Sequence, residues 1–471
     1  MKLRPYQQKI DDEIVAAWRA GKKRVLLQAA TGAGKTVMFN HRAAAAAQKG
    51  HRVLIIADRR ELIYQAWQRL FQASGIHAGM ILSGASQNPQ LPVQIASIQT
   101  LNRRTFPQAS IVIIDEARGS VADSYKPVFE HYKDAYFLGV DATPIRTNYA
   151  GFDHLYDHIV HGPSIKELEA MGSLVPARVF CNPINAATLA KIKITAGDYN
   201  EKQLASVMED NNLTADLVKS KLKHAPGLKT IVFAVSIKHS KMICEQYQAA
   251  GISAVHVDGE MSLEQRASIF KGFKIGKYEV LVNVGIACYG FDEPSIMCVQ
   301  LARPTKSLAM YLQQVGRGTR PFTDENGNRK TEFILLDHAN CRIEHGMPND
   351  DRVWTLKPRK KKSSKPRQFK IKLNGVEKIV TERELPETSE DLELEEVTEE
   401  MIRMSEFDKI HRFTQQRGWK PLSAVFRYLE KYPNPTAEEL QYIENRLGFK
   451  PGWWKYKYRE IQEKATKAQQ Q

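Results

Sequence analysis

The chain has no apolar run of about 18 residues, so it holds no segment built to cross a membrane as a helix. Its opening residues, Met1-Lys2-Leu3-Arg4-Pro5-Tyr6-Gln7, lack an apolar signal core, and export is not expected. Cysteine is scarce: Cys181, Cys244, Cys288, Cys298 and Cys341 are scattered, with no C-x-x-C pair. That argues against a structural zinc or a disulfide framework and for a reducing, cytoplasmic setting. Acid is the minority charge. The 53 Asp and Glu face 68 Lys and Arg, for a formal net charge of +15 over 471 residues. A basic protein of this size suits a polyanionic partner, because neutralising phosphates releases counterions. The plainer reading is that the charge only aids solubility. No nuclease motif is apparent, so strand cleavage would need a partner protein.

What is present is a βα rhythm. Short runs rich in Val, Ile and Leu occur at 24–28, 53–57, 93–97, 111–114 and 135–140, as buried parallel strands do. Helical stretches separate most of them, and the pattern predicts an α/β sheet lobe over residues 1–162. Residues 163–226 are more polar and read as a mostly helical connector. The rhythm resumes at 230–234, 253–257, 279–284, 296–301 and 332–336, predicting a second lobe over 227–345. Residues 357–370 then hold eight Lys or Arg and no acid. They belong to a basic segment, 346–381, that reads equally as a phosphate clamp or as a tether. Alternation in Phe369-Lys370-Ile371-Lys372-Leu373, then Asn374-Gly375, then 376–380 predicts a hairpin within it. Residues 382–400, with ten acids and one Arg, read as a solvated linker.

Residues 401–471 form a small helical unit with an internal repeat. Gly418-Trp419-Lys420-Pro421 recurs as Gly448-Phe449-Lys450-Pro451, and each copy is followed at equal distance by a basic residue, Tyr and Glu. Two helix–turn–helix units fit, with Gly ending one helix and Pro near the start of the next. Thr436 with Glu439 reads as a capping box. Trp419, Phe449, Trp453, Trp454, Tyr456 and Tyr458 lie among basic residues. They suit base stacking as well as they suit the core of a unit with little else to bury. We expect Trp419 and Phe449 in that core, with Lys455, Lys457 and Arg459 facing phosphate.

Three constellations carry chemistry. Ala29-Ala30-Thr31-Gly32-Ala33-Gly34-Lys35-Thr36 follows the first strand and opens a helix. The glycines let backbone N–H groups turn around phosphate oxygens at a helix start, whose dipole favours anions. Lys35 would reach the β- and γ-phosphates of ATP and Thr36 would ligate Mg²⁺. Ile111-Val112-Ile113-Ile114-Asp115-Glu116 is an apolar strand ending in two carboxylates. Asp115 suits the Mg²⁺ shell, and Glu116 suits orienting and deprotonating a water. In Gln313-Gln314-Val315-Gly316-Arg317-Gly318-Thr319-Arg320, helical spacing would put both arginines on one face. Alone they read as a solvated basic helix end. With the other blocks they read as a pair facing a γ-phosphate.

These blocks, in this order over roughly residues 3–340, resemble a superfamily 2 helicase. The resemblance implies two tandem RecA-like parallel-sheet domains plus the small helical C-terminal domain. It makes residues 3–7 similar to the adenine-recognition element, with Arg4, Tyr6 and Gln7 at ATP. Residues 30–36, hence Thr31, Gly32, Ala33, Gly34, Lys35 and Thr36, resemble motif I. Residues 57–62 with Gln65 resemble motif Ia, implying a strand contact for Arg60; residues 97–101 resemble the next block, implying strand contacts for Gln99 and Thr100. Asp115-Glu116-Ala117-Arg118 resembles motif II. Asp141-Ala142-Thr143-Pro144 resembles motif III, with Thr143 coupling the ATP site to the strand.

In the second lobe, residues 231–234 resemble motif IV, and Val257-Asp258-Gly259 with Arg266 resembles the block after it. Residues 290–294 resemble motif V, implying that Gly290 and Asp292 meet the nucleotide, and 313–320 resemble motif VI, implying catalytic roles for Gln313, Arg317 and Arg320. The string Ala302-Arg303-Pro304-Thr305-Lys306-Ser307 is similar to the DNA-directed bacterial and phage branch. That branch implies DNA unwinding, annealing or branch migration on single-stranded, forked or branched DNA in a bacterial or phage-infected cell, with replication, recombination or defence proteins as partners. Residues 450–453 resemble tails of small helicases there.

Some positions depart from the pattern. Motif II ends in Arg118 where His or Asp is usual, which leaves pairing with an acid, contact with phosphate, or solvent as its role. Motif III has Asp141 where a hydroxyl residue is commoner, and motif V has Cys288 where Thr is frequent. Two other functions stay open: an RNA helicase, and a non-catalytic ATP-binding adaptor of a larger DNA-processing or defence complex. In the favoured reading ATP closes the lobes and hydrolysis releases them, turning closure into a step.

Overall fold

In the computed structural model the described residues are 3–145, 150–181, 189, 192–195, 197–210, 213–286, 291–358, 368–373, 376–381, 395–396, 399–417 and 419–469. They fall into two compact units, Met1–Leu394 and Glu395–Gln471. No helix among them is long and apolar enough to cross a membrane.

The first sheet of the larger unit contains β1 (Arg24–Gln28), β2 (Val53–Ala57), β3 (Ala78–Ile81), β4 (Val93–Ser97), β5 (Ile111–Asp115), β6 (Tyr136–Asp141) and β7 (His158–His161). All pairings are parallel, in the order β3-β4-β2-β5-β6-β1-β7. Its strands are apolar on both faces because helices cover both. Alternation deals neighbours to opposite sides: Leu27, Ile55, Ile113 and Leu138 join one core, and Leu26, Ile56, Ile114 and Phe137 the other. β6 lies between β1 and β5, with Gln28 beside Asp141 and Asp115 beside Val140. Three strand ends that carry polar blocks therefore meet at one carboxyl edge, where open α/β sheets bind ligands.

The second sheet takes β8 (Ala177–Cys181), β11 (Thr230–Phe233), β12 (Ala254–Val257), β13 (Val280–Asn283), β14 (Cys298–Leu301) and β15 (Phe333–Asp337), again parallel, in the order β12-β13-β11-β14-β15-β8. Between β8 and β11 lies a short antiparallel pair, β9 (Ile194–Thr195) with β10 (Asp198–Tyr199). All ten expected strands are present, with ends shifted by a residue or so. Three others of the strands named above in the two sheets were not expected. β3, Ala-Gly-Met-Ile, is short and glycine-interrupted, and β7 is an edge strand between histidines. β8 lies in the stretch read as a helical connector, yet it pairs with β15. That stretch does carry helices, Ile165–Ala170, Glu201–Asp210 and Leu213–His224.

Beyond β15 the chain returns to the first lobe. Phe152 N–H and Asp153 N–H donate to the Leu356 carbonyl at 2.6 and 3.2 Å. Asn349 Nδ2 donates to Glu169 Oε2 at 3.0 Å, and Lys166 pairs with Asp351 at 3.4 Å. The expected hairpin follows, β16 (Gln368–Leu373) antiparallel to β17 (Val376–Thr381) with Leu373 opposite Val376. Its turn, Asn374-Gly375, most of the basic run and most of the acidic linker lie outside the described residues. The four described cysteines, Cys181, Cys244, Cys298 and Cys341, are buried and joined in no disulfide.

The smaller unit has helices Glu399–Gln416, Leu422–Lys431, Ala437–Leu447 and Trp453–Gln469. Thr436 caps the third: its hydroxyl accepts from Glu439 N–H, and Glu439 accepts from Thr436 N–H at 2.8 Å. Gly448 ends that helix in the left-handed region, at φ 67°. The core gathers Phe407, Ala424, Val425, Tyr428, Leu440 and Ile443, with Phe449 packed against it. Trp419 is not in that core, contrary to expectation: it is 40% exposed, because Arg427 and Phe413 cover its ring only in part.

Gly139 in β6 gives a test of the packing that supports the site. A Cβ there would lie 2.5–2.6 Å from the Tyr156 ring and hydroxyl, which is buried and bonded to Ser120. Gly139→Ala is expected to destabilise the larger unit by about 1–3 kcal/mol, read as a lower urea midpoint with an unchanged slope.

Candidate active site

β1 ends at Gln28, and the chain turns through Ala29–Gly34 before the helix Lys35–Gln48 begins. Gly32 and Gly34 sit at φ 87° and 85°, where a side chain is strained. Space forbids one as well, since a Cβ at Gly32 would press on Leu174 and one at Gly34 on the Gln7 amide. Tyr6 Oη and Gln7 Nε2 donate to the Ala33 carbonyl at 2.9 and 3.1 Å. Arg4 N–H donates to Gln7 Oε1 at 3.0 Å. Residues 4–7 therefore buttress the loop. Lys35 Nζ donates to the Ala29 carbonyl at 3.3 Å. Burial lowers its pKa, against the pull of the Glu116, Asp115 and Asp141 carboxylates. Thr36, next on the helix, is half-buried.

Asp115 closes β5, and its Oδ1 accepts from Glu116 N–H at 3.0 Å. Burial, then the Glu116 charge, push Asp115 above the usual carboxylate range, while Lys35 pulls it down. Glu116 adopts φ 52°, a left-handed conformation that is strained for a residue with a side chain. Both its carboxylate oxygens accept from Gln313 Nε2, at 3.2 Å each. Arg118 pairs with Glu116 Oε2 at 2.7 Å and with Asp141 Oδ1 at 3.4 Å, and its N–H donates to Asp141 Oδ2 at 2.7 Å. Of the three roles left open for Arg118, the structure selects pairing with acids. Asp141 is fully buried and also accepts from Thr143 N–H at 2.8 Å. The Thr143 hydroxyl is buried and has no partner among the described residues.

The second lobe meets this edge through the helix Leu308–Val315 and the turn after it. Gln313 makes the contact to Glu116, and a Cβ on Gly316 would overlap the Thr31 side chain. Arg317 donates to the Phe291 carbonyl, and Arg320 pairs with Asp292. Asp292 also takes Arg69 of the first lobe. Burial alone would raise Asp292, but Arg320 and Arg69 hold it below the usual range. Both arginines of the pair thus lie on the stretch 291–292 of their own lobe. Gly290 and Cys288 lie outside the described residues. A cavity of about 300 Å³ remains between the lobes, lined by Thr31, Thr143, Gly316, Thr319 and Trp354.

The expected strand-contact residues cluster at the ends of adjacent strands β2 and β4. Arg60 Nη2 donates to the Ser83 carbonyl at 2.6 Å, Gln99 Nε2 to Asp58 Oδ1 at 2.8 Å, and Thr100 N–H to Ser97 Oγ at 3.1 Å. In the smaller unit Lys455 is exposed beside Trp454, and Lys457 donates to Glu460 at 2.8 Å. Among the described residues no three His, Cys, Asp or Glu could hold a metal by themselves. One carboxylate, Asp115, and one hydroxyl, Thr36, nevertheless suit Mg²⁺, which takes its other ligands from phosphate and water.

Sequence reasoning missed Arg69 and Lys330, and gave no interlobe role to Glu61 and Arg266, which lay in two of its blocks. Arg69 bridges the lobes through Asp292, and Glu61 does so by accepting from Arg266 at 2.9 Å. Lys330 is buried and donates to the carbonyls of Pro294 (3.4 Å), Ile296 and Gly318 (2.6 Å), tying the 291–296 stretch to the arginine turn. Burial, then the Arg320 charge, bring its pKa down to about 7. Arg69, one turn of helix beyond Gln65, carried a weak signal; Lys330 carried none.

Comparison with known proteins places the geometry. Residues 1–146 match the family "Type III restriction enzyme, res subunit", and residues 212–321 match "Helicase conserved C-terminal domain". The chain is 30% identical over 331 residues to a 51.5 kDa protein of a Lactococcus phage, covering 70% of this chain and 68% of that one. It is 33% identical over 355 residues to the ATP-dependent helicase IRC3 of Saccharomyces cerevisiae, covering 70% of this chain and about half, 51%, of the yeast protein. Among solved structures it resembles a fragment of an HsdR subunit of a type I restriction enzyme from Vibrio vulnificus, with a TM-score of 0.54 and 22% identity, covering 74% of this chain and 66% of that one. The fold of both sheets is therefore RecA-like.

The ion pair of Arg118 gives a test. Arg118→Ala leaves Asp141 buried with only backbone donors, and a cost of about 1–3 kcal/mol is expected. Asp141→Asn added to it should not recover that loss in thermal melting, because the amide NH2 would face one of the two backbone N–H donors from which the carboxylate accepts.

Proposed function

We propose that this chain, which belongs to the superfamily 2 helicases and is an ATP-hydrolysing nucleic-acid motor, acts on DNA, unwinding or remodelling single-stranded, forked or branched substrates. One observation carries the motor reading: Gln313 of the second lobe touches Glu116 of the first at 3.2 Å. A contact of this kind makes the acid's position depend on whether the cleft is closed. The net charge of +15, the wording of residues 302–307 and the first-lobe match to a restriction-enzyme family support DNA as the track.

ATP binds with its phosphates on the N–H groups of residues 31–36. Lys35 exchanges the Ala29 carbonyl for β- and γ-phosphate oxygens. Thr36 and Asp115 would hold Mg²⁺, which would supply charge neutralisation on those oxygens. Glu116 orients a water and takes its proton as the oxygen attacks the γ-phosphorus. The bond to the β–γ bridging oxygen breaks, and ADP leaves with the electron pair. Arg317 and Arg320 stabilise the charge on the transferred group, and to reach it they release Phe291 and Asp292. Asp292 is then left to Arg69 alone, so arginine movement and interlobe contact are linked. Thr143, bonded through Asp141 to Arg118 and thence to Glu116, relays the state of the site toward Arg60, Gln99 and Thr100. The adaptor reading has one observation on its side, that Arg118 occupies the Glu116 carboxylate.

Lys35→Ala should lower ATP turnover about 100-fold or more while nucleic-acid affinity stays within a few-fold. Equal loss of both would argue against this division of labour. ATPase stimulation and strand displacement should be measured on single-stranded, duplex, forked, four-way and RNA substrates. Stronger stimulation by RNA would overturn the DNA assignment, and absence of turnover on all of them would favour the adaptor.

A further inference from the structure

The two copies of the C-terminal repeat are not used alike. In the second copy, Ile443, Leu447 and Phe449 all pack on the core, and Phe449 meets Trp453 at 4.6 Å. The matching residues of the first copy are Phe413, Arg417 and Trp419, and they face solvent. Phe413 is 42% and Trp419 40% exposed, and Phe426, nearby on the helix Leu422–Lys431, is 56% exposed. Arg427 lies over the Trp419 ring at 4.6 Å, Arg417 over Phe413 at 5.3 Å, and the two rings meet edge to face at 6.1 Å. A position that is core in one copy has become an aromatic and guanidinium layer in the other. Folding does not require that exchange, since it leaves large apolar surface in water.

Charge identifies the occupant. Residues 410–429 contain four Lys or Arg and no Asp or Glu; Lys409, just before them, is engaged by Glu406. A guanidinium stacked on a ring is held flat, with its N–H donors in plane and free to meet phosphate oxygens. Exposed aromatic faces beside it stack unpaired bases without regard to sequence. We propose that the face formed by Phe413, Arg417, Trp419, Phe426 and Arg427 binds single-stranded nucleic acid. This relocates the strand contact of the smaller unit away from Lys457, whose ammonium is already engaged by Glu460. The proposal rests on the reading of the chain as a nucleic-acid motor.

The test uses the full chain and a fluorescent oligothymidylate, with anisotropy read across a salt series. Phe413→Ala with Trp419→Ala, and separately Arg417→Glu with Arg427→Glu, should each weaken binding about tenfold or more. The arginine pair should also flatten the salt dependence. Melting temperature and ATP turnover without nucleic acid should not change, and Lys455→Glu should have a smaller effect than either pair. Tight binding by the unaltered chain that both double variants retain would overturn the face and leave the motor reading intact. Self-association of the chain, relieved by the same substitutions while oligonucleotide binding persists, would overturn it in favour of a contact between copies. No binding by the unaltered chain, and no stimulation of turnover by any nucleic acid, would sink both readings together.

Discussion

The Gln313 amide, 3.2 Å from both Glu116 oxygens, is the contact on which the rest of the molecule converges. Each sheet exists to bring one of these two side chains to an edge. β5 delivers Glu116 after five buried residues, and the helix Leu308–Val315 delivers Gln313 from a buried face. The acid's left-handed backbone, at φ 52°, aims its carboxylate out of the first lobe rather than along the sheet. Strain of that kind persists only where surrounding contacts hold it, and here the partners are Gln313 and Arg118.

Arg118 and Asp141 look like two separate losses when each is compared with the pattern it departs from. In the fold they are one ion pair, with the arginine reaching a fully buried carboxylate and the acid beside it. The arginine that departs from one block is matched by the acid that departs from the other.

Much of the architecture was legible because buried parallel strands write themselves as short Val, Ile and Leu runs. The strands that escaped notice are those whose burial is decided by distant partners. β8 is too polar at its start to stand out, and only β15, far along the chain, makes it a strand. The tight turn at Ala29–Gly34 was legible because glycine is demanded there by backbone angle and by space at once. Lys330 was invisible for the opposite reason: it serves three carbonyls, and carbonyls leave no trace in a sequence. Trp419 was misplaced because aromatic content alone does not say which ring a small unit can afford to leave in water.

The return of the chain to the first lobe bears on the freedom of the cleft. Residues between the sheets cross it once before β8, and residues 346–358 cross it again, fastened where Leu356 accepts from Phe152 and Asp153. Two bodies on one leash can tumble in any direction. With a second leash beside the first, translation apart is checked. Parting the lobes therefore strains two crossings of the backbone at once, and the second yields only when the bonds to Leu356 break.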